Sequence, residues 1–372
     1  MSLSYDAVVI GAGTAGLTAA KELHRNGARF VIADPGPLGT TCARNGCMPS
    51  KALIACADAF RQAIRFADHN LWEGPSHPSL PAVLKHVRSL RDHYVTSTLE
   101  GMEEIEPFLR REKATLLGPH RVQIGDEVLQ ADAIFIATGS RPTLPAALQP
   151  VADLCLTTDT LFEQADLPPR IGIVGAGAIG LEMAHSLSAF GLQVSLFYRS
   201  PWRGPFTDGL LADEARNYLA THFRWIEGNV TAIPKQDAAI LMTDQSETEV
   251  DRILVATGRT PVIEGIGLET LARTPEALWN MLDERTLQLG DSGCYLIGDA
   301  NGDRSTVHEA TNEAKRAVRH ALDIQEHPGP RLPPLKLLFV DPTLFVLGDT
   351  TTKSLKIGQA SFSNQGRSRM LL

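Results

Sequence analysis

Apolar positions at the start of the chain fall in a short run, then at helical spacing, then in a second short run. Tyr5–Ile10 is apolar, LTAAKELHRNG carries apolar residues three and four apart, and ARFVIA closes at Asp34. Short apolar runs bounded by glycine read as buried strands and the wider spacing as an amphipathic helix, so the pattern predicts β–α–β. The run SKALIACADAF continues as a helix, with Leu53, Ala57, Phe60 and Ile64 forming an expected core stripe. A proline-bearing polar stretch, HNLWEGPSHPSLP, interrupts the chain, and residues 81–105 read as a second helix whose His86, Arg88, Arg91 and His93 are expected on a solvated face. KATLLG, HRVQIG and DAIFIATG read as strands of one sheet.

The same order returns from Arg170. IGIVGAGAIGLEMAHSLSAFG is strand, glycine turn and helix; LQVSLFY is the next strand and ADEARNYLATH a further helix. RILVATGRTP ends this stretch as IFIATGSRP ended the first, so the chain carries an internal duplication. Beyond it, the strand CYLIG runs into Asp299, and VHEATNEAKRAVRHAL reads as a helix. HPGPRLPP has linker composition. The last forty or so residues alternate apolar and polar, too few for a domain of their own.

Composition narrows the class. With 372 residues, 43% hydrophobic and 21% charged, the chain reads as a globular protein of two or three domains. A formal net charge of -8 argues against nucleic acid as a partner. No apolar run reaches the length of a membrane span. The N-terminal residues run straight into the first strand without a basic leader, so a cytoplasmic location is expected.

The duplication brings chemistry with it. Gly11, Gly13 and Gly16 follow the first strand and open a helix, with Asp34 at the end of the next strand. This is the dinucleotide fingerprint in its context: glycines permit a tight turn and close approach of a pyrophosphate to a helix N-terminus, and the acid reaches a ribose hydroxyl. Gly175, Gly177 and Gly180 repeat it. Two nucleotide sites on one chain imply electrons passed between two cofactors. The second fingerprint has Tyr198, Arg199 and Ser200 where an acid would stand, with Arg203 soon after. An acid favours NAD and arginines accommodate a 2′-phosphate, so the residues lean towards NADP(H) without excluding NAD(H).

Between the two fingerprints lies LGTTCARNGCMPSK, with Cys42 and Cys47 five residues apart. In regular helix this spacing separates Cα atoms by roughly 8–9 Å, beyond the about 7 Å a disulfide spans. The pair therefore cannot share an undistorted helix. Gly46 permits unusual backbone angles, Pro49 suits a first helical turn, and Cys47 at a helix N-terminus would favour thiolate. A redox pair and two buried thiols in a βα loop both fit. No further His or Cys stands nearby at zinc spacing, so no metal is expected. Cys56, Cys155 and Cys294 read as small hydrophobes.

Together LGTTCARNGCMPSKALI, IVGAGAIGLEMA, the two ATG motifs and LIGDANG resemble the class I pyridine nucleotide–disulfide oxidoreductases, from Asp6 to about Arg369, and GCMPSKAL is most similar to the dihydrolipoyl dehydrogenase branch. The resemblance implies an α/β fold of two Rossmann-like three-layer domains plus the start of an α+β interface domain. An FAD-binding domain is expected over 1–150 and 285–328, an NAD(P)-binding domain over 151–284, and a truncated dimerisation domain over 333–372. FAD would lie on Gly11, Gly13, Gly16, Asp34, Thr41, Lys51, Thr138, Gly139, Ser140, Asp299, Thr306, Val307 and His308. NAD(P)H would lie on Gly175, Gly177, Gly180, Glu182, Arg199, Arg203 and Gly258. Cys47 would face the flavin, Cys42 would exchange with a disulfide such as lipoamide, and Lys51 would pair with Glu182.

The sequence departs from the family pattern in three places. Thr40 stands where the family usually has glycine, and Arg44 where asparagine is common, adding charge between the cysteines. The family's C-terminal domain forms a homodimer interface and supplies a catalytic histidine, yet no histidine follows His327. A disulfide reductase, an NAD(P)H diaphorase or oxidase, a mercuric or glutathione reductase-like enzyme, and a catalytically incomplete flavoprotein module all follow from the resemblance.

Overall fold

The computed structural model describes residues 4–69, 71, 79–199, 201–202, 204, 209–324, 329–341, 343–348, 360–364 and 367–371. It divides into two compact units, one of residues 1–44, 93–141 and 259–332, the other of residues 45–92, 142–258 and 333–372.

The first unit is built on a seven-stranded sheet. Ser4–Ile10 lies between Phe30–Ala33 and Glu127–Ile136, all parallel, with the short strand Leu109–Arg110 outside Phe30–Ala33. Glu127–Ile136 has two roles along its length. Its first residues pair antiparallel with Arg121–Ile124, and its last three run parallel to Cys294–Leu296. The central strands are closed to water on both faces: Ala7, Val8 and Val9 are fully buried, as are Ile134, Phe135 and Ile136. That is why they read as unbroken apolar runs rather than alternations. One face is covered by the helices Thr14–Arg25 and Val307–Ala321, whose small residues Ala15, Ala19, Ala314 and Ala317 share a core with Phe135. The other face holds Leu116, Val122 and Ile134 with Ile266, Leu268 and Leu278.

The second unit repeats the theme. Five parallel strands run in the order Arg224–Glu227, Gln193–Tyr198, Arg170–Val174, Arg252–Val255, Cys155–Leu156. An antiparallel three-stranded sheet, Thr231–Lys235, Ala238–Thr243 and Ser246–Val250, covers one face through Ala239, Leu241 and Val250. The described C-terminal residues add two antiparallel pairs, Leu335–Leu338 with Leu344–Leu347 and Ala360–Asn364 with Arg367–Leu371. The fold is the expected α/β architecture with two Rossmann-like sheets.

The units divide the chain differently from boundaries near 150 and 284. The helix Cys47–Asp68 goes with the second fingerprint, because Leu53, Ile54 and Ala57 share a core with Ile173, Leu181 and Ala184. Residues 259–284 go with the first, through the apolar contacts of Ile266, Leu268 and Leu278. The expected stripe on Cys47–Asp68 also fades towards its end: Leu53 and Ala57 are fully buried, but Ile64 is 40% exposed. On the helix Leu80–Glu100, Arg88 and Arg91 are half-buried rather than solvated. Arg88 donates to the carbonyls of Phe162 and Gln164, and Arg91 pairs with Asp92 and Glu163. Their apolar stems pack while the guanidinium groups find acceptors at the edge. Among the described residues no helix is long and apolar enough to cross a membrane.

Candidate functional site

The two glycine turns obey one steric rule. Gly11 has φ +103, and a Cβ there would stand 2.5 Å from the Ala137 carbonyl oxygen; one on Gly16 would stand 1.8 Å from the Gly11 carbonyl oxygen. In the second unit Gly175 has φ +109 with Ala256 O at 2.3 Å, and a Cβ on Gly180 would meet Gly175 O at 1.9 Å. The first and third glycines are therefore demanded by packing of the turn on its own sheet. The middle glycines differ. Gly13 and Gly177 are the N-caps of Thr14–Arg25 and Ala178–Ala189, and a Cβ on either would meet nothing within 4 Å. Each leaves bare backbone and free space at a helix N-terminus, where an anionic pyrophosphate fits.

In the first unit the remaining flavin candidates gather at the carboxyl ends of the same strands. Asp34 accepts the Ala12 N–H on one oxygen (2.6 Å) and the Gly36 N–H on the other (2.7 Å), so it braces the glycine turn while keeping lone pairs for a ribose. Thr138 donates its hydroxyl to the Val262 carbonyl (2.6 Å), and the Gly139 carbonyl accepts from the Val262 N–H (2.9 Å). A Cβ on Gly139 would meet nothing within 4 Å. Ser140 donates to an Asp299 carboxylate oxygen at 2.6 Å. Arg259, not expected as part of this group, donates to the Ser140 hydroxyl (2.8 Å) and carbonyl (2.7 Å). Thr306 caps the helix Val307–Ala321, and Thr306, Val307 and His308 are exposed at its first turn. Bare backbone, hydrogen-bonding hydroxyls and two carboxylates suit a dinucleotide with a polyol chain.

The backbone is irregular between the two cysteines. Cys42 is the second residue of a four-residue helix, Thr41–Arg44, and Cys47 opens the helix Cys47–Asp68. Gly46 separates them with φ -116 and ψ -113, outside helical values. Both cysteines are half-buried and Thr41 is exposed. Thr40 holds φ +59, a left-handed conformation costly for a β-branched residue. Its hydroxyl accepts the Ala43 N–H at 3.1 Å, so it caps the short helix in a way glycine would not. Arg44 donates to the Pro37 carbonyl (3.2 Å), which ties it to the incoming loop.

Lys51 lies one turn beyond Cys47 on the same helix, and its ammonium sits 2.8 Å from Glu182. Glu182 is 5% exposed. Its other oxygen accepts the Phe339 N–H at 3.0 Å, and the Phe339 ring lies beneath the Lys51 ammonium at 4.2 Å. A buried carboxylate needs such partners, and the ring adds a cation–π contact. Phe339 carried no signal in the sequence because it lies far along the chain, just beyond the strand Leu335–Leu338.

In the second unit, Gly258 has φ +113 with open space at its Cβ, and its carbonyl accepts the Thr143 N–H (3.2 Å). Arg199 is exposed just beyond the strand Gln193–Tyr198; Arg203 lies outside the described residues. Tyr198, standing where an acid would, is 5% exposed; its hydroxyl donates to Glu227 (2.9 Å) and accepts from Arg216 (2.6 Å). Burial and the Glu227 carboxylate push the Tyr198 phenol up, so it stays neutral. Trp202 donates its indole N–H to the Ala176 carbonyl in the glycine turn at 2.9 Å. The other cysteines behave as apolar groups: burial pushes the Cys155 and Cys294 thiols up to about 11 and raises Cys56.

Comparisons with known proteins identify the family and the fold. The family model described as pyridine nucleotide-disulphide oxidoreductase matches residues 5–318. The chain is 28% identical over 339 residues to dihydrolipoyl dehydrogenase 2, chloroplastic, of Arabidopsis thaliana, covering 85% of this chain but only 60% of that protein. It is 31% identical over 322 residues to glutathione reductase of Burkholderia cepacia, covering 83% of this chain and 69% of that protein. The solved structure of the flavoprotein disulfide reductase RclA from Escherichia coli superposes with a TM-score of 0.78 at 20% identity, over 94% of this chain and 78% of that one, a likeness of fold.

Proposed function

Because the chain belongs to the pyridine nucleotide-disulphide oxidoreductase family, we propose that it carries electrons from NAD(P)H through FAD to a substrate disulfide, with Cys42 and Cys47 as the redox pair. The observation that carries this reading is the helix Cys47–Asp68: a cysteine at its first residue and, one turn on, an ammonium fixed by Glu182. FAD, when bound, supplies a carrier that accepts hydride from NAD(P)H and passes an electron pair to a disulfide.

In this reading Gly11, Gly13, Gly16 and Asp34 hold its adenosine half; Thr41, Thr138, Gly139, Ser140, Asp299 and the first turn of Val307–Ala321 hold the rest. Gly175, Gly177, Gly180, Gly258 and Arg199 hold NAD(P)H. Lys51 places a positive charge where reduction builds negative charge, and Glu182 keeps that charge in place. Cys47 benefits from the helix N-terminus as a thiolate. Cys42, as thiolate, attacks one sulfur of the substrate and the other sulfur leaves. Cys47 then attacks Cys42, releases the second thiol and restores the pair, so each turnover consumes one electron pair. Lipoamide-like or glutathione-like disulfides are the substrate class, a homodimer the working state and a reducing cytoplasm the setting.

Anaerobic titration with NADPH, NADH or dithionite tests the reading. Uptake of two electron pairs per chain, with a long-wavelength thiolate-to-flavin absorption band, is expected. Uptake of a single pair, with Cys42→Ser titrating like the parent, overturns it.

A further inference from the structure

The turn Gly298–Asn301, which carries Asp299, is gripped from two directions. Its side chain meets Ser140, and its backbone is held by a buried carboxylate that the nucleotide reading does not use. Glu313, 2% exposed on the helix Val307–Ala321, accepts the Gly298 N–H (2.8 Å) and the Asn301 side-chain amide (2.7 Å) on one oxygen. Its other oxygen accepts from Arg331. Arg331 also donates to Glu309 (3.2 Å) and to Asp303 (2.8 Å), so one guanidinium from the segment after the helix holds three carboxylates. Gly298 has φ +64, and a Cβ there would stand 2.8 Å from that of Ala15, so the turn sits hard against the first glycine-turn helix.

We propose that Glu313 and Arg331 are positioning residues for Asp299, with the charge on Glu313 setting how firmly the turn is held and therefore how tightly the chain retains its flavin. The inference rests on the reading of Asp299 as a flavin ligand. A carboxylate accepting two donors binds them more strongly than a neutral acid. A carboxylate at this depth needs a cation, and Arg331 donates to it. The groups facing Glu313 are Arg331 from the following segment, the Gly298 N–H and Asn301 from the turn, and Glu309 and Arg316 from its own helix. Arg304 acts at one remove, donating to Glu309 (3.2 Å) and to the Leu332 carbonyl (2.9 Å). Burial and Glu309 push the Glu313 carboxyl up, to about 7, against the pull of Arg331 and the two turn donors. A cavity of about 250 Å³ lined by Glu309, Glu313, Arg316 and Arg331 adjoins the cluster.

The sign follows. Above that range Glu313 is ionised and grips the turn; below it the neutral acid grips less well, so flavin binding weakens as pH falls. The test measures FAD dissociation and flavin midpoint potential on the 372-residue chain at about pH 5.5 and about pH 8.5, bracketing an intervening ionisation. The parent should bind FAD about tenfold more weakly at the lower pH, as a coupling of one pKa unit implies. Glu313→Gln should bind weakly at both and lose the step. Arg331→Met should move the step to higher pH, and Arg331→Lys should return it towards the parent. Thermal melting of each apoprotein identifies variants that fail to fold, and Arg331→Lys keeps the test decisive if Arg331→Met does. Folded variants with the parent's pH profile and potential overturn the positioning role, even if they melt lower. Failure of the parent to bind FAD at either pH overturns the flavin reading itself, and this inference with it.

Discussion

The two glycine turns have nearly the same steric skeleton and are braced differently at the end of the second strand. Gly11 corresponds to Gly175 in φ, and Gly11 and Gly16 correspond to Gly175 and Gly180 in the carbonyl each would strike. At the next strand end, the first turn is tied by the Asp34 carboxylate to the Ala12 N–H. The second is tied by the Trp202 indole to the Ala176 carbonyl, while Tyr198 turns its hydroxyl away to Glu227 and Arg216. Each turn has a brace, and it is an acid in the first alone. An acid at that place can also serve a ribose hydroxyl, whereas the aromatic cluster of the second unit is followed, among the described residues, by the exposed Arg199. The helices that follow also differ. Thr14–Arg25 keeps an exposed face, whereas Ala178–Ala189 is buried along Gly180–Leu187 without interruption. That burial is what makes Glu182, His185 and Ser186 interior polar groups.

Substitutions at the third glycines should break the comparison most severely. Gly16→Ala and Gly180→Ala each drive a Cβ into a carbonyl oxygen, at 1.8 and 1.9 Å, and should cost about 3–5 kcal/mol. The first should abolish bound-flavin absorption. The second should spare the flavin and abolish its reduction by NAD(P)H in stopped flow. Loss of both functions in both variants would mean that the turns are not independent.

The braces come next. Asp34→Ala leaves the Ala12 N–H without its acceptor and should cost about 1–3 kcal/mol in urea unfolding. Tyr198→Phe, which removes a hydroxyl off the turn, should cost about 1 kcal/mol and leave flavin content unchanged. Equal losses would erase the distinction between the two strand ends.

The buried second helix predicts a pH signature. His185 is fully buried with both ring nitrogens unpartnered, and burial, then Arg61 and His222, depress it to about 2. Its folded value lies below its unfolded one, so its stabilising contribution is complete above the unfolded value near 6.5 and declines as pH falls through the range down to about 2. His222 shifts in the same direction. His185→Leu should reduce the acid-side slope of unfolding free energy by about 1.4 kcal/mol per pH unit. An unchanged slope would show that this ring does not remain neutral.

The smallest effect concerns donor choice. Arg199→Ala should raise KM for NADPH about fivefold, the loss of an exposed charge contact, and leave KM for NADH unchanged. An equal effect on both would detach Arg199 from any 2′-phosphate.

Much of this was legible in the sequence, because it depends on local geometry. Gly11, Gly16, Gly175 and Gly180 are required by backbone contacts within each turn and its own sheet, so the motif predicts strand, turn and helix together. A disulfide between Cys42 and Cys47 would need them outside one regular helix, because helical rise separates them too far, and they do lie in different helices with Gly46 at the break. The Lys51–Glu182 pair came from resemblance alone; nothing in spacing joins residues 131 positions apart. What tertiary structure alone decided are the partners of polar groups taken out of water. Arg88 and Arg91 read as solvated because helical spacing reports a face, not what covers it, and the turn at Phe162–Gln164 comes from elsewhere in the chain. Phe339 at Glu182, Arg259 at Ser140 and Arg331 at Glu313 escaped notice for the same reason. Sequence determined where the backbone turns, because that is settled between near neighbours. Which distant donor satisfies each buried carboxylate is settled only when the chain packs and water is excluded.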